Sequence, residues 1–205
     1  LIAEAEGFSR TAYQLLSKLG DVSEMNFSQE ELTIHVANCE ILIVRLGLNI
    51  SSTVMDAAPK LRYIASATTG TDHIDLEAAR QRNIKVVTLK GETAFLESIP
   101  STAEHTWALL LALLRKIHVA YSHVVRGGWN RQRFRGNNLA GRKFGILGLG
   151  RVGRQVAQYA LAFGCEIAAF DPYLETWPNQ NVFRFETAAE LLRWCDILSI
   201  HIPYD

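Results

Sequence analysis

The sequence predicts an α/β protein built from two doubly wound parallel-sheet domains, on three observations. Short apolar, strand-like runs alternate with amphipathic helical stretches through almost all of the 205 residues. Strand, helix and strand in units this short imply parallel pairing, with helices covering the sheet. The alternation is interrupted at residues 91–100, "GETAFLESIP", where glycine and proline bracket a loop. In the second half, the run "GILGLGRVG" at 145–153 carries glycines at 148, 150 and 153, spaced G-x-G-x-x-G, where a strand pattern gives way to a helix pattern. The expected domains are therefore residues 1–98 and 99–205.

Taken in order, "LIAEA" is a short strand and a helix follows from about Ser9 to Leu19. Ser28 and Glu31 have capping-box spacing for the next helix. "EILIVRLG", "LRYIASATT" and "IKVVTL" are buried strands, and Asp75 caps a helix through "LEAARQRN" between the last two. In the second half, Ser101 and Glu104 suggest another capping box, opening one long Leu- and Ala-rich helix from about Ser101 to Val125. The basic, glycine-punctuated "RGGWNRQRFRGNNLAGR" is a connecting arm. Strand "KFGILG", helix 151–163, strand "EIAAFD", a short strand "VFRF", a helix capped by Thr187 with Glu190, and strand "DILSIHI" complete the chain.

Lys plus Arg equals Asp plus Glu at 21 each, which argues against nucleic acid or an anionic membrane surface as the main partner. The balance hides an asymmetry: residues 1–98 carry 9 basic and 13 acidic side chains, residues 99–205 carry 12 and 8. A basic second half suits an anionic ligand; a solvated or subunit-facing surface explains it as well. Cys39, Cys165 and Cys195 lie far apart in apolar runs, so buried thiols in a reducing, cytoplasmic setting are expected, and no metal site. No apolar run reaches membrane-spanning length, "WALLLALL" being flanked by Glu104 and Arg115, and no signal peptide is visible. The apolar start and the end just past Pro203 suggest an incomplete chain.

The glycine turn has a chemical reading. Gly148 permits a tight strand-to-helix turn, Gly150 lets a pyrophosphate lie against the backbone, and Gly153 lets the helix pack closely on the strand. Free N–H groups near Arg151 and Val152 then face the phosphates, aided by the helix dipole. Asp171 follows Gly153 by 18 residues at the tip of the next strand. A carboxylate there accepts from ribose hydroxyls and repels a 2′-phosphate, which selects NAD over NADP. The alternative is a plain glycine-rich turn, with Asp171 as a helix or turn cap.

These residues resemble the D-isomer-specific 2-hydroxyacid dehydrogenases, a family that includes D-3-phosphoglycerate dehydrogenase and the glyoxylate/hydroxypyruvate reductases. "STAEHTWALLLALLRKI" is similar to that family's interdomain helix. "GGWNRQRFRGNNLAGRKFGILGLGRVGRQVAQYALAFGCEIAAFDPY" is similar to its cofactor signature, "ATTGTDHIDLEAARQRNIKV" to a loop and helix of its substrate domain, and "CDILSIHIP" to its His-x-Pro strand. The resemblance implies a flavodoxin-like substrate domain over 1–98 and a Rossmann NAD-binding domain over 99–205, incomplete at its C-terminus, with NAD as cofactor. It implies an oxidoreductase that interconverts a 2-keto acid and a D-2-hydroxy acid by hydride transfer. Partners are then a small anionic acid and a second copy of the chain in a homodimer, without nucleic acid or membrane.

The resemblance also implies roles for particular residues. Thr69, Gly70 and Thr71 match the loop whose N–H groups hold the substrate carboxylate; an ordinary β-to-α turn is the alternative. Arg45 and Leu46, in "IVRLG", match a second substrate-side loop, with Arg45 alternatively a surface ion-pair partner. Thr102 matches a residue beside the nicotinamide and is equally the first residue inside a capping box. His201 and Pro203 match residues lining the cofactor pocket. His105 and His118 are plain helix residues, and His35, His73 and His123 surface or satisfied groups. "RQRFR" with Trp129, which alone could suggest single-stranded nucleic acid, becomes a dimer arm.

The family's catalytic Arg, Glu and His follow the His-x-Pro strand, so no catalytic residue is expected before Asp205. Alone, residues 1–205 are expected to bind cofactor without turnover. Two rivals share the fold. One is an NAD-sensing, corepressor-like regulator. The other is formate dehydrogenase, whose loop "GTDHIDL" resembles; its substrate-binding asparagine is missing from "GETAFLESIPSTAEH".

Overall fold

The computed structural model describes residues 1–178 and 180–202. The chain divides into two compact units, Leu1–Thr93 and Ala94–Asp205.

In the first unit, Ser9 Oγ caps α1 (Arg10–Leu16), and Ser28 with Glu31 closes the expected capping box on α2 (Gln29–His35). A 3-10 turn, Val36–Asn38, leads to β1 (Ile41–Val44). Then come α3 (Ser52–Asp56), β2 (Tyr63–Ser66), α4 (Leu76–Gln81) and β3 (Lys85–Val87). Asp75 Oδ1 caps α4 by accepting from Ala78 N–H at 2.9 Å. The strands are parallel in the order β1-β2-β3, Ile41 beside Tyr63 and Tyr63 beside Lys85.

Residues 1–5 extend this sheet through single bridges on either side. Ala3 N–H donates to Ile43 O and Ile43 N–H to Leu1 O, at 3.0 and 2.8 Å. On the other side, Ile2 N–H donates to Ser23 O and Met25 N–H to Ile2 O, at 2.8 and 3.0 Å. The spatial order is thus residues 22–26, 1–5, β1, β2, β3, which is the 2-1-3-4-5 winding of a flavodoxin-like sheet. Winding reverses between residues 1–5 and β1. Leu42, Val44, Ile50, Val54 and Ile64 fill the core, each such side chain contributing about 1.5–3 kcal/mol on full burial.

The second unit contains α5 (Thr93–Glu97, which straddles the division), α6 (Ser101–Leu114) and α7 (Ile117–Val125). A 3-10 turn, Arg131–Phe134, lies in the arm that follows. β4 (Lys143–Leu147), α8 (Arg151–Ala162), β5 (Glu166–Phe170), β6 (Phe183–Arg184), α9 (Ala188–Trp194) and β7 (Ile197–Ile200) complete it. Thr187 and Glu190 form the expected capping box on α9. The parallel order β6-β5-β4-β7 is 3-2-1-4 in sequence, the Rossmann winding, and it reverses between β4 and β7. Trp107 of α6 anchors the core, stacked on Phe144 and Phe163 with ring centroids 5.7 and 4.7 Å away.

Four expectations are corrected. The 91–100 segment, read as a loop, contains α5, and α8 ties its later part to the second unit: Arg151 Nη1 donates to Leu96 O and Ile99 O, and Gln155 Nε2 to Glu97 O. No capping box opens α6. Pro100 is its N-cap with helical φ and ψ, and accepts from Glu104 N–H at 2.9 Å, so Ser101 is already inside the helix.

The long helix is also broken. Lys116 adopts φ 55°, and the path turns by 64° between Thr93–Leu114 and Ile117–Val125. The arm explains the stop: Asn137 N–H caps Leu114 O at 3.0 Å, supplying the partner the helix would have provided. Finally, Cys39 and Cys165 are buried but Cys195 is only partly so, its thiol sitting over Gly145. No single helix among the described residues is long and apolar enough to cross a membrane.

Candidate functional site

In the second unit, chain reversal and glycine geometry coincide. Gly148, directly after β4, has φ +90°, and a Cβ there would stand 2.7 Å from His201 O, just past β7. The two carboxyl ends meet backbone to backbone, which only glycine allows. A Cβ on Gly153 would lie 2.2 Å from Gly148 O, so α8 packs on the turn with no room for a side chain. Gly150 is different: a Cβ would meet nothing within 4 Å. Its backbone faces open space.

Gly150 is the N-cap of α8 and no side chain caps it. The first intrahelical bond is Arg154 N–H to Gly150 O, at 3.0 Å. The N–H groups of Arg151, Val152 and Gly153 find no acceptor among the described residues, at the positive end of a 12-residue helix. A helix start of this kind can receive a phosphate. The Arg151 side chain turns away from it, to the carbonyls of Leu96 and Ile99.

Asp171 follows β5 beside this turn. Its Oδ2 accepts from Leu149 N–H at 2.8 Å and its Oδ1 from Tyr173 N–H at 3.0 Å. The carboxylate is thus a turn cap, and one that touches the glycine loop itself. Each oxygen keeps a second lone pair for a hydroxyl donor. His201 N–H pairs with Leu147 O at 2.8 Å, its Nε2 lies 2.8 Å from Ser199 Oγ, and burial pushes the imidazole pKa down. Thr102 sits exposed in the first turn of α6, its carbonyl accepting from Thr106 Oγ1. Pro203 lies outside the described residues.

In the first unit the carboxyl ends of residues 1–5, β1 and β2 line a cleft of about 260 Å³, with Glu4, Arg45, Leu46, Gly47, Ala67 and Thr68 on its walls. Leu46 is 70% exposed at its edge. Arg45 makes no ion pair among the described residues; its Nη1 donates to Glu6 O at 3.1 Å. The N–H groups of Thr69, Gly70 and Thr71 have no acceptor among the described residues, which leaves three successive donors on one turn. Thr68 Oγ1 steadies that turn by donating to Gly70 O at 2.8 Å.

Three residues the sequence did not single out shape this region. Ser66 is buried, and its Oγ lies 3.4 Å from Arg45 O, 2.9 Å from Thr68 Oγ1 and 3.1 Å from His73 Nε2, linking the two loops. His73 was expected at the surface or satisfied, yet its buried Nδ1 has no partner among the described residues. Glu4 Oε2 accepts from Arg45 N–H and its Oε1 from Gly47 N–H at 2.9 Å. The available signal for Glu4 was its place at the end of the first strand, where the sheet reverses.

Residues 107–205 match the family model for the D-isomer specific 2-hydroxyacid dehydrogenase NAD binding domain. The chain is 35% identical over 195 residues to the D-3-phosphoglycerate dehydrogenase of Methanocaldococcus jannaschii, covering 94% of this chain and 36% of that protein. A crystal structure from Thermus thermophilus superposes with a TM-score of 0.82 at 31% identity, over 96% of this chain and 62% of that one. The NAD-dependent formate dehydrogenase of Staphylococcus aureus, solved with NAD, gives 0.80 at 26% identity, over 94% and 57%. The chain therefore spans about a third of the length of the curated relative. Motifs, winding order and these similarities agree: residues 107–205 belong to the D-isomer specific 2-hydroxyacid dehydrogenase family as an NAD-binding domain.

Proposed function

We propose that this protein is an NAD-dependent oxidoreductase that interconverts a small 2-keto acid and the corresponding D-2-hydroxy acid. One observation carries the reading most: an uncapped helix start at Gly150, open where a side chain would project, with the Asp171 carboxylate hydrogen-bonded to the same loop. The backbone of Gly148, Gly150, Arg151, Val152 and Gly153 would hold the pyrophosphate, and Asp171 the adenosine ribose. Thr102, His201 and Pro203 would line the nicotinamide pocket. The bound nicotinamide supplies or accepts the hydride. Residues 1–98 form the substrate domain in this reading, with the Thr69–Gly70–Thr71 donors taking the substrate carboxylate and Arg45 and Leu46 its remainder.

Nothing in "GETAFLESIPSTAEH" supplies the asparagine expected of a formate dehydrogenase, so a 2-keto acid is the better-supported substrate class. Three free cysteines are consistent with a reducing, cytoplasmic setting. The working unit in this reading is a homodimer. Titrating the protein with NADH and with NADPH tests the cofactor assignment. NADH is expected to bind tighter by tenfold or more, on the order of a lost charge-assisted contact; equal or tighter NADPH binding defeats it.

A further inference from the structure

We propose that Glu4 is a positioning residue for the substrate-side loop Arg45–Leu46–Gly47, which its carboxylate grips at two points. This rests on the assignment of that loop and of Thr69–Thr71 to the substrate.

Residues 1–5 and β1 lie on either side of the winding reversal, where carboxyl ends diverge and leave a crevice. Glu4 reaches across it. One oxygen takes Arg45 N–H and the other takes Gly47 N–H, so two alternate donors of one loop converge on a single carboxylate. Leu46 is left between them, pointing its exposed side chain outward.

Gly47 carries the same message independently. It has no left-handed φ that would demand glycine. A Cβ there would instead stand 2.8 Å from Glu4 Oε1, so the small residue makes room for the carboxylate. Two positions 43 residues apart thus depend on one contact.

The partner Glu4 does not take is equally informative. An acidic side chain beside Arg45 could pair with the guanidinium, yet both oxygens are committed to backbone N–H groups. Among the described residues the guanidinium bonds only the neutral carbonyl of Glu6. From the opposite side, Ser66 Oγ reaches Arg45 O. The backbone at Arg45 is therefore held through its N–H by Glu4, with Ser66 Oγ 3.4 Å from its C=O, while the Arg45 charge is not neutralised by either. A loop fixed this way presents Arg45 and Leu46 to the cleft without spending the positive charge on its own support.

The test uses amide NMR of the full chain with D-lactate as probe, together with Glu4→Gln and Gly47→Ala. Glutamine keeps the shape but offers one acceptor where two are needed; alanine at 47 displaces the carboxylate while leaving Glu4 in place. Each variant is expected to move the Arg45 and Gly47 amide protons upfield, abolish their exchange protection and weaken D-lactate about tenfold, the scale of one lost charge-assisted bond. NADH affinity is expected to stay unchanged. Loss of protection with D-lactate affinity intact would reduce Glu4 to a structural brace and overturn the proposal. If wild-type Thr69–Thr71 amides do not respond to D-lactate, the substrate-loop assignment itself fails, and the role of Glu4 with it.

Discussion

Asp171 is the turn cap that the sequence offers as one of two readings, and in the proposed function it takes the ribose as well. Its oxygens are occupied by Leu149 and Tyr173 N–H groups, so the carboxylate is pinned at the glycine turn before any ribose arrives. A hydroxyl donor then meets an oriented acceptor and bears little ordering cost. Asp171→Ala removes both functions and is expected to weaken NADH by roughly 1–3 kcal/mol. Asp171→Asn keeps an acceptor for Leu149 and removes the charge, so its main effect should be a narrower gap between NADH and NADPH. Fluorescence titration of both variants separates the two contributions. The glycines separate in the same manner. Gly150→Ala projects a methyl into open space and should leave the unfolding midpoint nearly unchanged while impairing NADH binding. Gly153→Ala drives a methyl to 2.2 Å from Gly148 O and should cost about 1–3 kcal/mol of stability. Denaturant unfolding beside cofactor titration checks the contrast, and equal effects from both substitutions would refute it.

At the level of elements, the helical stretch from residue 101 to 125 shows how a later segment can end an earlier one. Nothing between Leu113 and Ile117 is a helix breaker, and Lys116 has to take a left-handed conformation that costs a non-glycine residue about 1–2 kcal/mol. The arm offsets that cost. Asn137 N–H caps Leu114 O, Gly136 sits where a Cβ would be 2.3 Å from that same oxygen, and Gly128 lies equally close to the His123 ring. Gly136→Ala should therefore lift the arm and destabilise the second unit by about 1–3 kcal/mol. Hydrogen exchange should report lost protection at Asn137 before any loss in β4 or β5. Uniform loss across the unit would show that the arm is not a separate support.

For the whole molecule, the distribution of apolar surface matters more than net charge. Leu109, Leu113, Tyr121, Val124 and Val125 are exposed along α6 and α7, and Trp129 in the arm is 88% exposed. Large apolar side chains gathered on consecutive elements mark an interaction surface. A second copy of the chain fits it in the proposed reading, since an isologous contact brings the same patch to itself. Light scattering at micromolar concentration is expected to give a dimer, and Trp129→Ala to shift it toward monomer. A monomeric wild-type chain would count against the arm as a subunit contact.

The sequence by itself determined what depends on neighbours along the chain. Caps at Ser28, Asp75 and Thr187, the strand runs and the glycine turn are legible because φ restrictions, side-chain periodicity and cap spacing act over three or four residues. The tertiary structure decided what depends on residues far apart. It set the end of α6 through Asn137, committed Asp171 to Leu149, brought His201 O against Gly148 and closed Glu4 on Arg45 and Gly47. Each of these joins groups 22 to 53 residues apart, and a close contact between such groups exists only once the sheets have wound and reversed.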